Sequence, residues 1–444
     1  MTDFFSYIKK KPSLVTFITI ILGLIIGIYL SLKITLIVFI ISLFSYFIIR
    51  KNIFLIVVLL LSSSVYMSSK KFPEHKRIFF SGIYLEKRIV DPVYGELYSN
   101  IPIELGSIVY GSAKSFKWGT QKRLTDIIIN GSHSTIINNI YKLRDKLDRN
   151  IYESIGGDIG QMCSTIILGK RGNLPNYLYT RFRCCGAAHL LAVSGLHTGI
   201  VFIIILIFLR VLQLKRKLAL VVTASLVSIY AVLTGLRLPV LRASLMLWFF
   251  IVGEINEKNI DPINTLSASG ILILILMPTS IKSISFQLSF IAVFSILIVF
   301  KIFESSLKKI PNNLLKKWVI IPLIVTLSAQ IGTLPLVAYY FGYIPLFGLI
   351  ANLVLIPLVG TLIAGIFLLW VIPILKETVG SFIWAIGYIM NKFMLFFEEL
   401  NFSVITVREN NSYFLFIYLI YFIIILLVLF LKKKRDSDFI TIPF

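Results

Sequence analysis

The sequence predicts a polytopic α-helical membrane protein with about 12 transmembrane helices and a small extracytoplasmic β-domain inserted after the third helix. Hydrophobic residues make up 57% of the 444 residues and charged residues only 15%, whereas soluble globular proteins carry about 25% charged residues. Apolar runs such as Ile53–Leu61 and Phe414–Leu431 contain no ionisable side chain. Runs that approach about twenty residues match a bilayer core of roughly 30 Å, so the composition indicates a membrane protein.

Three apolar segments open the chain and predict an N-terminal membrane region over residues 1–68. They are Leu14–Leu32, Ile34–Ile49 and Ile53–Met67. The first follows the basic run Lys9–Lys11, is longer than the apolar core of a cleavable signal peptide, and is not followed by the small residues of a cleavage site. We therefore expect a retained anchor.

Residues 69–136 predict a small β-barrel, OB-like in its pattern, outside the membrane. Turn-forming Gly, Pro, Asn and Asp residues separate short alternating runs, which is typical of strands joined by tight turns. The clearest runs are Ile83–Leu85, Ile108–Tyr110 and Ile127–Ile129. Residues 137–186 then predict an amphipathic helix over Asn138–Ser154, whose apolar residues recur at helical spacing, followed by a connector.

Nine further hydrophobic segments predict a membrane domain over residues 187–431, followed by a basic tail at residues 432–444. They lie near Leu190–Leu209, Leu218–Leu233, Val240–Val252, Ile263–Met277, Gln287–Phe300, Trp318–Tyr340, Pro345–Leu369, Val379–Phe397 and Phe414–Leu431. Because Pro345, Pro357 and Pro373 lie in or near the seventh segment, it could be one span, a broken helix or two half-spans.

The Lys and Arg clusters predict one orientation with both termini in the cytoplasm, because cytoplasmic loops collect these residues. The clusters that share the cytoplasmic side are Lys9–Lys11, Arg50–Lys51, Arg210–Lys217, Lys301–Lys317 and Lys432–Arg435. Residues 69–186 then fall on the extracytoplasmic side.

Membrane topology does not explain the excess of positive charge in the outer domain. Much of the net charge of +23 follows from the cytoplasmic clusters, but residues 70–183 also carry 18 Lys and Arg against 10 Asp and Glu. A loop of this length translocates regardless of its charge, so the excess suits contact with a polyanion or with anionic lipid. An indole among cations favours base stacking beside phosphate contacts, and the residues concerned are Lys114, Lys117, Trp118, Lys122 and Arg123.

The densest group of polar residues lies at the start of the fourth predicted span. His189, Val193 and His197 are spaced four apart, so we expect both imidazoles to share one helical face. Ser194 and Thr198 accompany them. Polar residues at membrane depth commonly face a bundle interior or a water-filled cavity; the alternative is a packing seam of small and polar residues.

Polar residues also interrupt the later spans. Arg237 suits a position at the outer interface, whereas Arg242 lies five residues into its span and needs water, a carboxylate or a phosphate. The uncharged members of this group are Gln287, Ser289, Gln330, Thr333 and Asn352. Such residues either hold helices together or line a hydrophilic pathway.

Motifs for enzymatic chemistry are absent from the sequence. It contains no GxxxxGK[ST], GxSxG, HExxH or CxxC pattern, so we expect no nucleotide-driven motor, no enzyme activity, no metal and no cofactor. Free thiols are favoured for Cys163, Cys184 and Cys185; Cys163 could pair with one of the other two in an oxidising compartment.

Several separated blocks resemble the ComEC family of competence proteins, and they occur in the family's order. The blocks are Leu168–Arg171, His189–His197, Gly235–Arg237, Arg242–Met246, Asp261–Leu266, Phe286–Phe290, Gln330–Pro335 and Ala351–Leu353. The resemblance implies a multi-pass channel of the bacterial inner membrane that passes single-stranded DNA to the cytoplasm during natural transformation, with an outer domain that engages the DNA. The residues we expect along the pathway are His189, Ser194, His197, Thr198, Arg237, Arg242, Gln287, Gln330 and Asn352.

The sequence departs from many family members at its end. It reaches Phe444 without the HxHxDH motif of the metallo-β-lactamase-like domain that many members carry. We therefore expect a short form whose partners include a separate nuclease and cytoplasmic DNA-handling or motor proteins.

Two other functions stay open at this point. A secondary transporter of a small polar or anionic solute could use His189 and His197 as a proton relay. A membrane-embedded hydrolase could use Ser194, although no carboxylate lies near it in sequence to orient a base.

Overall fold

The computed structural model describes most of the chain between Arg77 and Val407. The described residues are 77–85, 88–91, 95–98, 108–118, 121–133, 136–170, 174–258, 260–400 and 402–407. The three predicted N-terminal spans, the last predicted span and the basic tail lie outside these residues.

Five strands form a small closed barrel. They are β1 (Arg77–Leu85), β2 (Arg88–Asp91), β3 (Gly95–Tyr98), β4 (Ile108–Trp118) and β5 (Gln121–His133). Their order around the barrel is β1-β2-β3-β5-β4, with β3 parallel to β5 and the other neighbours antiparallel. Register shifts between β4 and β5 near Gly111 and Ala113 increase the local bend that closure needs. Each of the three strand segments predicted from the sequence lies within one of these strands.

Three helices follow the barrel. They are α1 (Ile136–Ile155), α2 (Gly157–Leu168) and α3 (Asn176–Cys184). Helix α1 is the amphipathic helix that the apolar spacing predicts. Helix α2 was not singled out by the sequence pattern, because its twelve residues are too short for a span and include Ser164 and Thr165; nearly all of it is nevertheless buried.

Eight apolar helices account for most of the rest of the described chain. They are α4 (Gly195–Val211), α5 (Arg216–Leu233), α6 (Leu238–Ile255), α7 (Pro262–Leu276), α8 (Ile284–Lys309), α9 (Ile321–Phe341), α10 (Gly348–Val371) and α11 (Lys376–Glu398). In the described part, five helices are long and apolar enough to cross a membrane. Three shorter apolar stretches are Gly195–Val211, Pro262–Leu276 and Ile284–Phe300, the last of which is the apolar part of α8. Every predicted span that falls on described residues coincides with one of the eight, which is the architecture of a multi-pass helical membrane protein.

Helix α10 is continuous, so the alternatives of a broken helix and of two half-spans are wrong. Pro357 lies inside it. Pro345 instead ends β6 (Tyr343–Pro345), which pairs antiparallel with β7 (Val404–Thr406), and Pro373 begins a short 3₁₀ helix after α10.

Two of the apolar clusters that the described helices form meet at α6. The larger cluster joins α2, α3, α4, α5, α10 and α11, with Phe182 and Ile363 fully buried in it. The smaller joins α6, α7 and α8 and includes Phe286 and Phe290, whose rings stack at 4.3 Å. Helix α6 contributes Val240 to the first cluster and Leu238 to the second. The residues just after Val240 therefore lie between the two packed groups.

We predict that Gly380→Ala destabilises the protein and that Gly360→Ala does not. A Cβ at Gly380 would overlap the backbone carbonyl oxygen of Ser154 on α1, and forcing atoms into a packed contact costs about 1–3 kcal/mol. A Cβ at Gly360 meets its nearest atom at 3.9 Å. The thermal unfolding midpoint in detergent should fall for Gly380→Ala alone; equal midpoints would contradict this packing of α11 on α1.

We predict that a maleimide modifies Cys184 in native membranes and spares Cys163 and Cys185. All three thiols are free, so the pairing of Cys163 that the sequence left open is not found. Cys163 and Cys185 are fully buried, and burial, with smaller contributions from Cys184 and Glu398, raises the pKa of Cys185 to about 12. At neutral pH Cys185 is therefore a thiol and not the reactive thiolate.

Mass spectrometry of single-cysteine variants, before and after denaturation in detergent, measures this difference. Rapid modification of Cys185 before denaturation would refute the packing of α3 against α11.

Candidate functional site

Helix α4 begins with a reciprocal hydrogen-bonded cap. The backbone N–H of Ser194, the residue before the helix, donates to Nδ1 of His197 at 3.0 Å, and the Ser194 hydroxyl lies 2.8 Å from the same nitrogen. The Thr198 hydroxyl donates to the carbonyl oxygen of Ser194 at 3.0 Å. This is the arrangement of a capping box, with a histidine in the place that Glu or Gln usually takes. Because Nδ1 accepts a backbone N–H, the ring proton of neutral His197 lies on Nε2.

The prediction that His189 and His197 share one helical face is wrong. His189 lies on a separate 3₁₀ turn, Ala188–Leu191, and the chain is extended at Ala192 and Ser194 before α4 begins. The physical reason is the cap itself, since a Ser at the N-cap position adopts extended backbone angles to reach the first turn. His189 is exposed and its ring is hydrogen-bonded to the backbone of Gly186. The two imidazoles still lie close enough to interact electrostatically.

His197 keeps a buried donor without a partner. Its side chain is 0% exposed, and Nε2 makes no hydrogen bond within the described part of the chain. An unsatisfied buried polar atom costs about 1–3 kcal/mol, which makes this atom a candidate for contact with a ligand.

Arg242 lies between the two packed helix groups. It is 5% exposed, and its Nη1 donates to the backbone carbonyl of Ser289 on α8. Its guanidinium carbon lies 5.9 Å from the centre of the Phe290 ring, while Nε has no hydrogen-bond partner among the described residues. The third neighbour is Gly195 at the first turn of α4, where a Cβ would overlap Nη2. None of the ion pairs in the described part involves Arg242.

Close glycine contacts join the His189 turn to α10 and α9. Gly186 has a φ of +66°, and a Cβ there would lie 2.8 Å from Cα of Gly348 at the start of α10. Gly348 in turn leaves room for the amide of Gln330 on α9, whose Nε2 would be 2.5 Å from an added Cβ. Only glycine combines this left-handed backbone with so close an approach.

The predicted amide residues divide into two kinds. Gln287 is held at both ends, because its Nε2 donates to the carbonyl of Ile281 at 2.9 Å and its Oε1 accepts from Tyr340 at 2.8 Å. Asn352, one helical turn after Gly348, is 3% exposed and its Oδ1 has no partner among the described residues. Gln287 therefore fastens α8 to α9, whereas Asn352 retains binding capacity. Arg237 is the partly buried N-cap residue of α6.

Sequence reasoning missed a group of arginine and tyrosine contacts on α3. Arg181 lies over the ring of Tyr177 at 4.8 Å, and Arg183 lies over the ring of Tyr343 at 5.4 Å. Burial raises the pKa of Tyr343 to about 12, Tyr179 adds to the rise and Arg183 opposes it. The Tyr177–Arg181 spacing of four residues on a helix was the available signal; the partner of Arg183 is distant in sequence.

The strand register gathers the predicted outer-domain residues at one end of the β4–β5 hairpin. Lys117 pairs with Lys122, Trp118 with Gln121, and Phe116 with Arg123. Lys114 lies further along β4, opposite Thr125. Within the part of the chain that the structure describes, no group of three His, Cys, Asp or Glu residues could hold a metal ion.

Comparison with known proteins identifies the family. A family model described as "Competence protein" matches residues 166–434. Among curated proteins, ComE operon protein 3 of Bacillus subtilis (strain 168) is 29% identical over 43% of this chain and 24% of its own length. Recombination protein 2 of Haemophilus influenzae (strain ATCC 51907 / DSM 11121 / KW20 / Rd) is 26% identical over 50% of this chain and 30% of its own length. An uncharacterized protein of Aquifex aeolicus (strain VF5) is 34% identical over 46% of this chain and 45% of its own length.

The chain therefore spans less than half the length of each of these relatives, and no solved structure matches it. The family model covers more than half of the chain and includes the whole stretch from the His189 turn to Asn352. On that match, this multi-pass membrane protein belongs to the ComEC family of competence proteins.

Proposed function

We propose that this protein is an inner-membrane channel that translocates single-stranded DNA into the cytoplasm during DNA uptake in competence. The observation that carries the proposal is that the family match and the candidate pathway occupy the same part of the chain. The family match over residues 166–434 contains every polar residue of the candidate pathway, from His189 to Asn352. Polar side chains left unsatisfied in an apolar bundle are costly, so their concentration in the shared part of the chain indicates a common polar ligand.

The pathway in this proposal runs along the polar seam between α4, α6, α8, α9 and α10. It includes His189, Ser194, His197 and Thr198 at the start of α4, Arg237 and Arg242 on α6, and Gln287, Gln330 and Asn352 on the later helices. Conduction requires contacts that are favourable enough for entry and weak enough for release. Uncharged polar side chains with two arginines fit that requirement better than a row of cations.

The β-barrel supplies the outer binding surface in this proposal. Five strands in a small closed barrel are typical of OB-like folds, which bind oligonucleotides. The strand register pairs position 117 with position 122, and both are lysines. Two basic residues at neighbouring positions of the hairpin suit contact with a polyanion. This role places residues 69–136 outside the cell membrane, residues 137–186 as the connector, and both termini in the cytoplasm.

Translocation also needs partners, because the sequence contains no nucleotide-driven motor motif. We propose a separate nuclease that delivers the single strand and cytoplasmic DNA-handling or motor proteins that draw it inward.

A second candidate is a proton-coupled transporter of a small polar or anionic solute, which the presence of two histidines, His189 and His197, at the start of α4 favours. The engagement of Nδ1 of His197 in the cap of α4 weakens this reading, since a relay needs both ring nitrogens. Uptake of a small solute that depends on a proton gradient, with DNA uptake unchanged by deletion, would select this function.

We predict that Asn352→Leu lowers DNA delivery to the cytoplasm by about tenfold or more, which corresponds to roughly 1.4 kcal/mol at the barrier. Leucine has a similar volume and removes the buried amide. Thr361→Val on the same helix is the matched control, because the Thr361 hydroxyl is exposed and donates only to its own helix, to the carbonyl of Pro357 at 3.0 Å.

Labelled DNA is scored in two pools, DNA protected from external nuclease and DNA in the cytoplasm, at matched protein levels. The channel proposal expects only the second pool to fall for Asn352→Leu. A deletion strain that still delivers DNA to the cytoplasm would overturn the channel proposal itself.

We predict that Lys117→Gln with Lys122→Gln weakens binding of single-stranded DNA by the full-length protein and makes it less sensitive to salt. Each lost phosphate contact lowers the slope of log K against log salt by about 0.7 for a single strand, so the pair lowers it by about 1.4. Lys146→Gln, an exposed lysine on α1, should leave the slope unchanged. The same slope for all three proteins would remove the hairpin from the binding surface.

A further inference from the structure

The buried guanidinium of Arg242 lies against the N-terminal end of helix α4, which is the positive end of the helix dipole. The first turn of α4 carries a partial positive charge of about half a unit, because its N–H groups point out of the helix. Nη2 of Arg242 lies against Gly195 in that turn. In the described part of the chain, no carboxylate pairs with the guanidinium. Two positive groups facing each other in an apolar bundle are unfavourable unless a negative group binds between them.

The donors around this point exceed the acceptors that the protein provides. Arg242 uses Nη1 on the Ser289 carbonyl, but its Nε has no partner among the described residues. Nε2 of His197, two residues after Gly195, is likewise buried and unpartnered. The cap fixes the proton of neutral His197 on this nitrogen, because Nδ1 accepts the N–H of Ser194. The first N–H groups of α4 have no acceptor within the helix.

We propose that Arg242, His197 and the first turn of α4 form a binding site for a phosphodiester anion. The inference rests on the proposed function and names the part of the DNA that this site contacts, its backbone phosphate. A single arginine and a neutral imidazole donor balance one negative charge, which is the charge of a phosphodiester. Helix N-termini and guanidinium forks both present their N–H groups to phosphate oxygens.

Gly195 is essential to the proposed site for a steric reason. A side chain at residue 195 would displace the guanidinium, since even a Cβ overlaps Nη2. By contrast, a Cβ at Gly199, one turn later on α4, meets no atom within 4 Å. The pair Gly195→Ala and Gly199→Ala therefore separates the site from general effects of alanine in this helix.

The probe is a fluorescent abasic oligomer of deoxyribose phosphate, which offers phosphodiesters without bases. Its binding to the full-length protein in dodecyl maltoside is measured by anisotropy, in the Lys117→Gln, Lys122→Gln background so that the barrel contributes less. A methylphosphonate oligomer of the same length carries no charge and serves as the matched probe. The proposal expects binding of the first oligomer and little binding of the second.

Three variants test the residues. Arg242→Gln and Gly195→Ala should each weaken binding of the charged oligomer by about tenfold or more. His197→Asn should weaken it by about threefold or more, because asparagine carries an oxygen near the position of Nδ1 and has no counterpart of Nε2. Arg210→Gln at the other, exposed end of α4 and Gly199→Ala should bind as the parent does.

The thermal unfolding midpoint of each variant shows whether it keeps the fold. If Arg242→Gln unfolds, Gly195→Ala still tests the site, because it keeps the arginine and its charge. Unchanged affinity in folded Arg242→Gln and Gly195→Ala proteins would overturn the proposed site. Displacement of the oligomer by phosphatidylglycerol, added to the micelles, at lower concentration than by unlabelled oligomer would assign the site to a lipid headgroup and overturn the DNA assignment.

Failure of this inference is distinct from failure of the channel. If binding is insensitive to Arg242 while Asn352→Leu still blocks delivery of DNA, the site is wrong and the channel stands. If the deletion strain delivers DNA normally while the oligomer still binds through Arg242, the phosphodiester site stands and the channel is wrong.

Discussion

The guanidinium of Arg242 is buried among α4, α6 and α8, and the residues around it must accommodate this charge. A charge taken out of water costs several kcal/mol unless hydrogen bonds replace its hydration. The protein supplies one backbone carbonyl, from Ser289, and the face of Phe290. Gly195 provides the space for the remaining edge of the guanidinium. The position exists because α6 takes part in both apolar clusters, so a residue just after Val240 has helices on both sides.

Close contacts at glycines hold together the helices that carry the polar residues of the proposed pathway. The Gly186–Gly348 contact brings the turn that carries His189 onto the start of α10, and Gly348 leaves room for Gln330. Small residues allow helices to approach closely in a membrane, where lipid tails remove the hydrophobic drive for helix association. The same contacts fix where the polar side chains lie relative to one another, so packing and pathway depend on the same residues.

The cap of α4 gives His189 and His197 different environments, which changes the function that can be inferred for them. A continuous helix through His189 and His197 would present two equivalent imidazoles. The extended backbone at Ser194 instead gives them different environments, one exposed beside Gly186 and one buried with a single free donor. This asymmetry favours a fixed contact with a strand over a symmetrical proton relay.

The sequence by itself determined the class of protein, the positions of the described apolar helices and three of the barrel's strands. Hydrophobic run length and residue spacing are local properties set by the bilayer and by the strand and helix periods. It also determined which polar residues interrupt the spans. Only the tertiary structure decided that Gln287 is hydrogen-bonded at both ends of its amide while Asn352, Arg242 and His197 keep atoms without a partner among the described residues. It alone revealed the burial of α2 and the contact of Arg183 with Tyr343. These outcomes depend on which residues from distant segments meet, and the spacing of residues along one helix carries no information about its neighbours.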